Sequence, residues 1–189
     1  MRTYTPKDAK LIPERAERVF KGIIFDTYHW QQELYDGSST TFEMLKRPDT
    51  VEVFAVKDGK LVIQEQEQPG LGFFYDFPCG RHDIESETEL EAGKRELLEE
   101  TGMRFKNWKL VHVYQPEVKI EWFVYTFVAT DFVDQIEQKL DAGEKIKVTL
   151  KTLEETKELQ GDPTGRHLET SALKNVDTIE RLVNLPELK

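Results

Sequence analysis

The spacing of hydrophobic and polar positions changes period along the chain, from about two to about 3.6 and back again. Residues 1–17 show neither period; they are polar and interrupted by Pro6 and Pro13, which predicts an irregular arm. Residues 19–25 open the strand-type pattern, and residues 28–35 continue it as far as Asp36-Gly37, a hairpin turn signal. Residues 40–45 form a further short strand. A stronger hairpin is predicted where residues 50–56 and 60–66 flank Asp58-Gly59. Residues 73–77 are a short aromatic strand, and residues 78–83 read as a loop in which Pro78 and Gly80 let the backbone turn toward a ligand. The helical period then takes over from Thr88 to Thr101, with Gly102 placed to stop the helix. Residues 108–115, 121–129 and 145–150 return to strands, with an acidic loop at 131–144. Residues 152–159 and 170–185 read as two closing helices, separated by Gly161, Pro163 and Gly165. The reading is an α+β domain with a strand-rich front, one central helix, more strands and C-terminal helices.

A chain of 189 residues with 38% hydrophobic positions can bury a core without metal or disulfide staples. Its single cysteine, Cys79, excludes an internal disulfide. The first thirty residues carry charges throughout, and no run approaches the ~20 apolar residues of a membrane helix. These features predict a cytoplasmic protein in a reducing compartment, with no membrane partner. The net charge of -10 disfavours nucleic acid, whose binding rests on Lys and Arg neutralising phosphates. That charge is unevenly placed. The 22 residues from Arg81 to Gly102 hold eight acids against three bases, which is half of the whole excess.

On a helical wheel Leu90, Gly93 and Leu97 form one narrow stripe, suited to packing on a sheet, while Glu96, Glu99 and Glu100 share an arc of about 100° pointing elsewhere. Like charges such as Glu96 and Glu100 at i,i+4 destabilise an isolated helix by ~0.2–0.5 kcal/mol. A cation between them reverses that sign. Hard divalent ions take oxygen ligands and retain several waters, so a few carboxylates with substrate phosphate oxygens make a suitable shell. Arg95, eight residues after Glu87, is placed to brace the preceding loop by ion pairing without entering such a site.

The run Arg95-Glu96-Leu97-Leu98-Glu99-Glu100-Thr101-Gly102-Met103 resembles the second half of the Nudix box, G-x5-E-x7-R-E-U-x-E-E-x-G-U, and Glu87 stands at the spacing of its first glutamate. One departure is present: Arg81 falls at the first box position, with Gly80 one residue early. Either the loop carries an extra residue or arginine replaces the glycine. The resemblance implies a Nudix fold, a mixed β-sheet between helices, here with a strand-rich N-terminal extension at residues 1–49 ahead of a hydrolase domain at 50–189. It implies Mg²⁺ as cofactor, with Mn²⁺ as the alternative. Glu96, Glu99 and Glu100 are its expected ligands, together with a backbone carbonyl of Cys79 or Gly80; Glu87, Arg95 and Gly102 are structural members of the box. The implied reaction is attack of water on the diphosphate of a nucleoside diphosphate linked to a second moiety.

The extension, with Gly22-Ile23-Ile24-Phe25-Asp26 and Arg47-Pro48-Asp49, resembles that of the ADP-ribose and nucleotide-sugar pyrophosphatases, which implies a homodimer and a nucleotide-sugar substrate. In that subgroup the general base often lies on a late acidic loop, for which Glu144 is the best-placed residue; one of the helix glutamates is the alternative. Arg47, Arg81 and His82 are candidate phosphate contacts. Trp30 is a candidate for stacking on substrate, although strand aromatics are more often packed in the core. The subgroup's arginine in a Gln-aromatic-Arg-Pro run is absent, since the chain reads Gln66-Glu67-Gln68-Pro69. Two other functions stay open at this point: hydrolysis of a nucleoside triphosphate, and a non-catalytic nucleotide sensor.

Overall fold

Asp58 and Gly59 both adopt positive φ, 52° and 70°, the combination that a two-residue turn matched to strand twist requires. They join β4 (Asp49–Lys57) to β5 (Lys60–Gln68), the two strands around which the rest is arranged. In this computed structural model, which describes residues 2–168 and 170–188, the larger sheet runs β11 (Lys145–Lys151), β5, β4, β10 (Val124–Gln135), β8 (Met103–Tyr114). Strands β4 and β10 are parallel and the other neighbours antiparallel, so the sheet is mixed. Two short strands flank this path: β6 (Gly72–Asp76) on β5 and β7 (Cys79–His82) on β4. The segment expected as a loop at 78–83 is thus mostly strand, because its backbone completes the edge of β4 from Asp49 to Glu52.

Valines at 51 and 53 face helix α1 (Glu89–Thr101), where Ala92 and Leu97 pack with Tyr125, Phe127 and Ala129 in the core. The opposite face carries Phe54, Ile63, Phe77 and Val128 under the C-terminal segments. These are α2 (Leu153–Gln160), 3-10 turns at Pro163–Leu168 and Ser171–Leu173, and α3 (Ile179–Val183). The continuous helix expected over 170–185 is therefore broken. Thr178 takes extended backbone and accepts from the Arg181 amide, starting a new helix in the middle of the expected one.

The N-terminal strands β1 (Glu17–Phe20), β2 (Asp26–Glu33) and β3 (Ser39–Lys46) form a separate sheet, closed by β9 (Ile120–Glu121) from the main domain. Ahead of them the irregular arm is pinned down. Arg2 makes a two-pronged pair with Asp49 at 2.6 and 3.0 Å and reaches Glu121 at 3.0 Å, while Thr3 donates twice to the buried Glu89 at the start of α1. Among the described residues no helix is long and apolar enough to cross a membrane.

Candidate active site

Helix α1 is defined at both ends by its own residues. Thr88 closes a capping box with Glu91, and Gly102 at φ 70° ends the helix in the left-handed region, its amide on Leu98 O. Beyond Gly102, residues 135–139 satisfy the last carbonyls of the helix. The Ile136 amide donates to Gly102 O at 2.8 Å, the Lys139 amide to Glu99 O at 2.8 Å, the Gln135 side chain to Thr101 O, and the Gln138 side chain to Glu100 O. The glutamates are therefore carried on a helix whose final turn is held from outside.

Glu100 is almost fully buried, and its Oε2 accepts from the Cys79 amide at 3.0 Å and from Gln64 Nε2 at 2.8 Å. Burial pushes its carboxyl well above the ordinary range, the two hydrogen bonds oppose that, and the charges of Glu96 and Glu144 add to it. Glu96, half-buried, is also raised, mainly by burial and further by Glu99 and Glu144. Gly80 is where Glu96 rests: a Cβ there would lie 2.1 Å from Glu96 Cδ. A side chain at Gly80 would therefore have to push the Glu96 carboxylate aside, whereas the Arg81 side chain is half-exposed and stands clear of it. Glu144 acts electrostatically on both Glu96 and Glu100, so the acidic loop does approach the helix.

Arg95 braces Glu87 through Nε and Nη2 at 2.9 and 3.0 Å and holds the Arg81 carbonyl at 3.1 Å. It also donates to Glu96 at 2.7 Å and to Glu99 at 3.4 Å, so it belongs to the carboxylate cluster and is not confined to the loop. Among the described residues no three His, Cys, Asp or Glu side chains converge as a closed ligand set. The donors present nonetheless fit a hard divalent cation. They are carboxylate oxygens beside a glycine-bearing loop, of which Glu100 is buried and Glu96 half-buried next to like charge, a cost that bound positive charge offsets.

A concavity of about 690 Å³ reaches the loop before Glu87 at His82 and Asp83; it is lined by the bases Arg2, Lys21, Lys46 and Arg47 and by the acids Asp26, Asp49 and Glu85. The Arg47 guanidinium stacks over Trp122 at 4.5 Å, and its Nε is buried with no hydrogen-bond partner, alone in this among the described side-chain atoms. Burial and the neighbouring Arg81 lower its proton affinity, and Asp49 opposes them. His82 donates to the Glu87 carbonyl at 2.8 Å and so closes the loop. Trp30 packs on Phe42 and donates to Gln32, both within the N-terminal sheet, away from the glutamates. A concavity of about 1170 Å³ between Lys57, Lys94 and Trp108 contains none of the candidate residues.

Sequence reasoning missed Gln64 and Gln138, which hold Glu100 at its side chain and backbone, and the buried acids Glu52 and Asp76 on the neighbouring strands. The repeat Gln64-x-Gln66-x-Gln68 was the one available signal, since polar residues at alternate positions of a buried strand need a reason.

A model of the NUDIX domain matches residues 46–170. The chain belongs to the Nudix family. Among curated Nudix relatives it is similar to the ADP-ribose pyrophosphatase of Bacillus subtilis (strain 168), with 32% identity over 147 residues, covering 76% of this chain and 79% of that protein. Among solved structures it resembles an ADP compounds hydrolase, with a TM-score of 0.66 at 20% identity over 82% of this chain and 88% of the other. A NUDIX hydrolase from Nitrosomonas europaea gives a TM-score of 0.52 at 23% identity, over 64% and 84%. Identities this low show the Nudix fold, as expected from the box.

Proposed function

We propose that this Nudix protein is a divalent-metal-dependent hydrolase of the diphosphate in ADP-ribose or a closely related nucleotide sugar, releasing a nucleoside monophosphate and a sugar phosphate. The observation that carries the reading is the juxtaposition of Glu96 and Glu100 against the Cys79-Gly80 backbone, supported by Arg47, whose Nε is buried without a hydrogen-bond partner and which neighbours Arg81. The similarity to an ADP-ribose pyrophosphatase supports the choice of substrate. Glu96, Glu99 and Glu100, with a carbonyl of Cys79 or Gly80, would hold Mg²⁺ or Mn²⁺. When bound, the cation supplies positive charge to the diphosphate and makes an attacking water more acidic.

The chain's own residues do the rest. Arg47 and Arg81 hold phosphate oxygens; the stacking of Arg47 on Trp122 fixes its plane for two-pronged contact. Arg95 keeps Glu96 and Glu99 in place and ties them to the loop through Glu87 and Arg81 O. Glu144, on the acidic loop and close to the helix carboxylates, takes the proton from water. Exposed Phe20 at 61% and Ile23 at 101%, with Ile24 and Phe25 beside them, support a homodimer built through the N-terminal extension, whereas the buried Trp30 packs within its own sheet. The lone cysteine supports a cytoplasmic location.

Incubation with Mg²⁺ and a panel of ADP-ribose, nucleotide sugars, dinucleotides and nucleoside triphosphates, followed by product analysis, tests this. ADP-ribose or a nucleotide sugar should be cleaved fastest, and Glu100→Gln should abolish turnover in a folded protein. Tight binding of one compound without turnover would instead make the protein a sensor. A single-subunit mass in solution would remove the dimer.

A further inference from the structure

Gln64, Gln66 and Gln68 occupy alternate positions of β5 and therefore one face of it. Their amides are joined head to tail. Gln68 Nε2 donates to Gln66 Oε1 at 3.0 Å, Gln66 Nε2 donates to Gln64 Oε1, and Gln64 Nε2 donates to Glu100 Oε2. Gln64 is 0% and Gln66 2% exposed, and their antiparallel partners on β11 are Val148 and Ile146. Packing alone does not call for amides here. Apolar side chains would fill the same space without the cost of burying two polar groups, and Val62, the preceding residue on that face, is apolar and fully buried.

An amide has a donor at one end and an acceptor at the other, so a row of them has a direction. In this row every donor points toward Glu100, and hydrogen bonds in such a chain polarise one another in the same sense. The Cys79 amide donates to the same oxygen, Oε2, so neither bond uses Oε1. Gln138 fixes the backbone of the same residue through its carbonyl.

We propose that Gln64, Gln66 and Gln68 are a positioning relay for Glu100, which loads Oε2 with inward-pointing donors and leaves Oε1 as the oxygen offered to the divalent cation. This rests on the hydrolase reading above, because it gives Glu100 the task of holding the cation. Groups behind metal ligands typically change affinity or activity 10–100-fold when altered.

The experiment is Mn²⁺ titration of the full chain, read by the electron paramagnetic resonance of the free ion, with a thermal unfolding midpoint for each variant. Gln66→Met keeps the volume and removes both bonds. Gln66→Glu presents acceptors only, so Gln64 must turn its amide and aim an oxygen at Glu100. Both should weaken Mn²⁺ binding, Gln66→Glu by about tenfold or more, and the turnover loss should fall on kcat at saturating metal more than on KM. Gln68→Met, at the partly exposed end, should weaken it less and serves should the buried variants fail to fold. A packing role would lower the unfolding midpoint and leave Mn²⁺ affinity unchanged. Unchanged or tighter binding in the folded variants, with Glu100→Gln still abolishing it, overturns the relay and leaves the hydrolase standing. Equal binding by the wild type and Glu100→Gln, or none by either, overturns both.

Discussion

A Cβ on Gly80 would come within 2.4 Å of both Glu96 oxygens, so the missing methyl group decides where that carboxylate sits. Gly80→Ala is therefore expected to displace Glu96 and lower kcat by about tenfold or more, the usual scale for disturbing a metal site's support. Arg81→Ala leaves that contact untouched and should act mainly on KM, since the Arg81 side chain is largely exposed and its structural bond to Arg95 is made by the backbone. Steady-state kinetics on the two variants separate these outcomes; a Gly80→Ala enzyme of wild-type kcat would refute the placement. Counting along the sequence left Gly80 and Arg81 as alternatives because spacing fixes positions on a helix and says nothing of how a loop of variable length folds back on it. Arg95 shows the same limit. Its pairing with Glu87 follows from the box, whereas its bonds to Glu96 and Glu99 depend on the side chain's path across the helix end.

Helix α1 was legible as an element, ends included, because Thr88, Glu91 and Gly102 act on residues only three or four positions away. What holds its C-terminal turn was not. The acidic loop attracted attention for Glu144, yet Gln135 at the end of β10, Gln138 and the amides of Ile136 and Lys139 are what bind the last carbonyls of α1. Gln138→Leu removes one of these bonds and should cost about 1 kcal/mol, measurable by denaturant unfolding; Thr88→Ala at the other end should cost about as much. Equal stability of either variant with the wild type would mean that solvent satisfies that helix end equally well. The C-terminal region was read as one long helix because its apolar spacing permits one. The capping of Thr178 and the packing of Leu173, Val176 and Leu182 into a single core favour two short pieces instead.

Across the whole molecule, several acids lie inside the fold and not on its surface, among them Glu52, Asp76 and Glu100. Burial pushes Glu52, which accepts from Thr126, up to about 8 and Asp76 up to about 7, and it raises Glu96 and Glu100 as well. Raised carboxyls bind protons more tightly in the folded chain than in the unfolded one. Between the ordinary carboxylate range and pH 8 the folded state then carries more protons, so stability falls as pH rises through that window. With metal removed by chelator, the thermal midpoint should drop from about pH 5 to about pH 8. Glu52→Gln should flatten that drop and be the more stable form at the alkaline end; parallel curves for the two proteins would exclude Glu52 as a source. Added divalent ion should reduce the drop in the wild type by stabilising the ionised helix glutamates.

Taken alone, the amino-acid order determined whatever acts over short separations: the Asp58-Gly59 turn, the caps of α1, the alternation of the strands, and a spacing of glutamates specific enough to mark the Nudix box. Tertiary structure decided which distant groups meet those glutamates. Gln64 lies 36 positions before Glu100, Gly80 is pressed against Glu96 by the pairing of β7 with β4, and Arg47 reaches Trp122 because β3 and β9 share a sheet. Strand register sets each of these contacts: a slip of one residue would turn Gln64 to the opposite face of its sheet and move Gly80 and Arg47 away from their partners. Register is a property of the assembled sheets, which is why the chemistry could be read from the sequence while the arrangement that supports it could not.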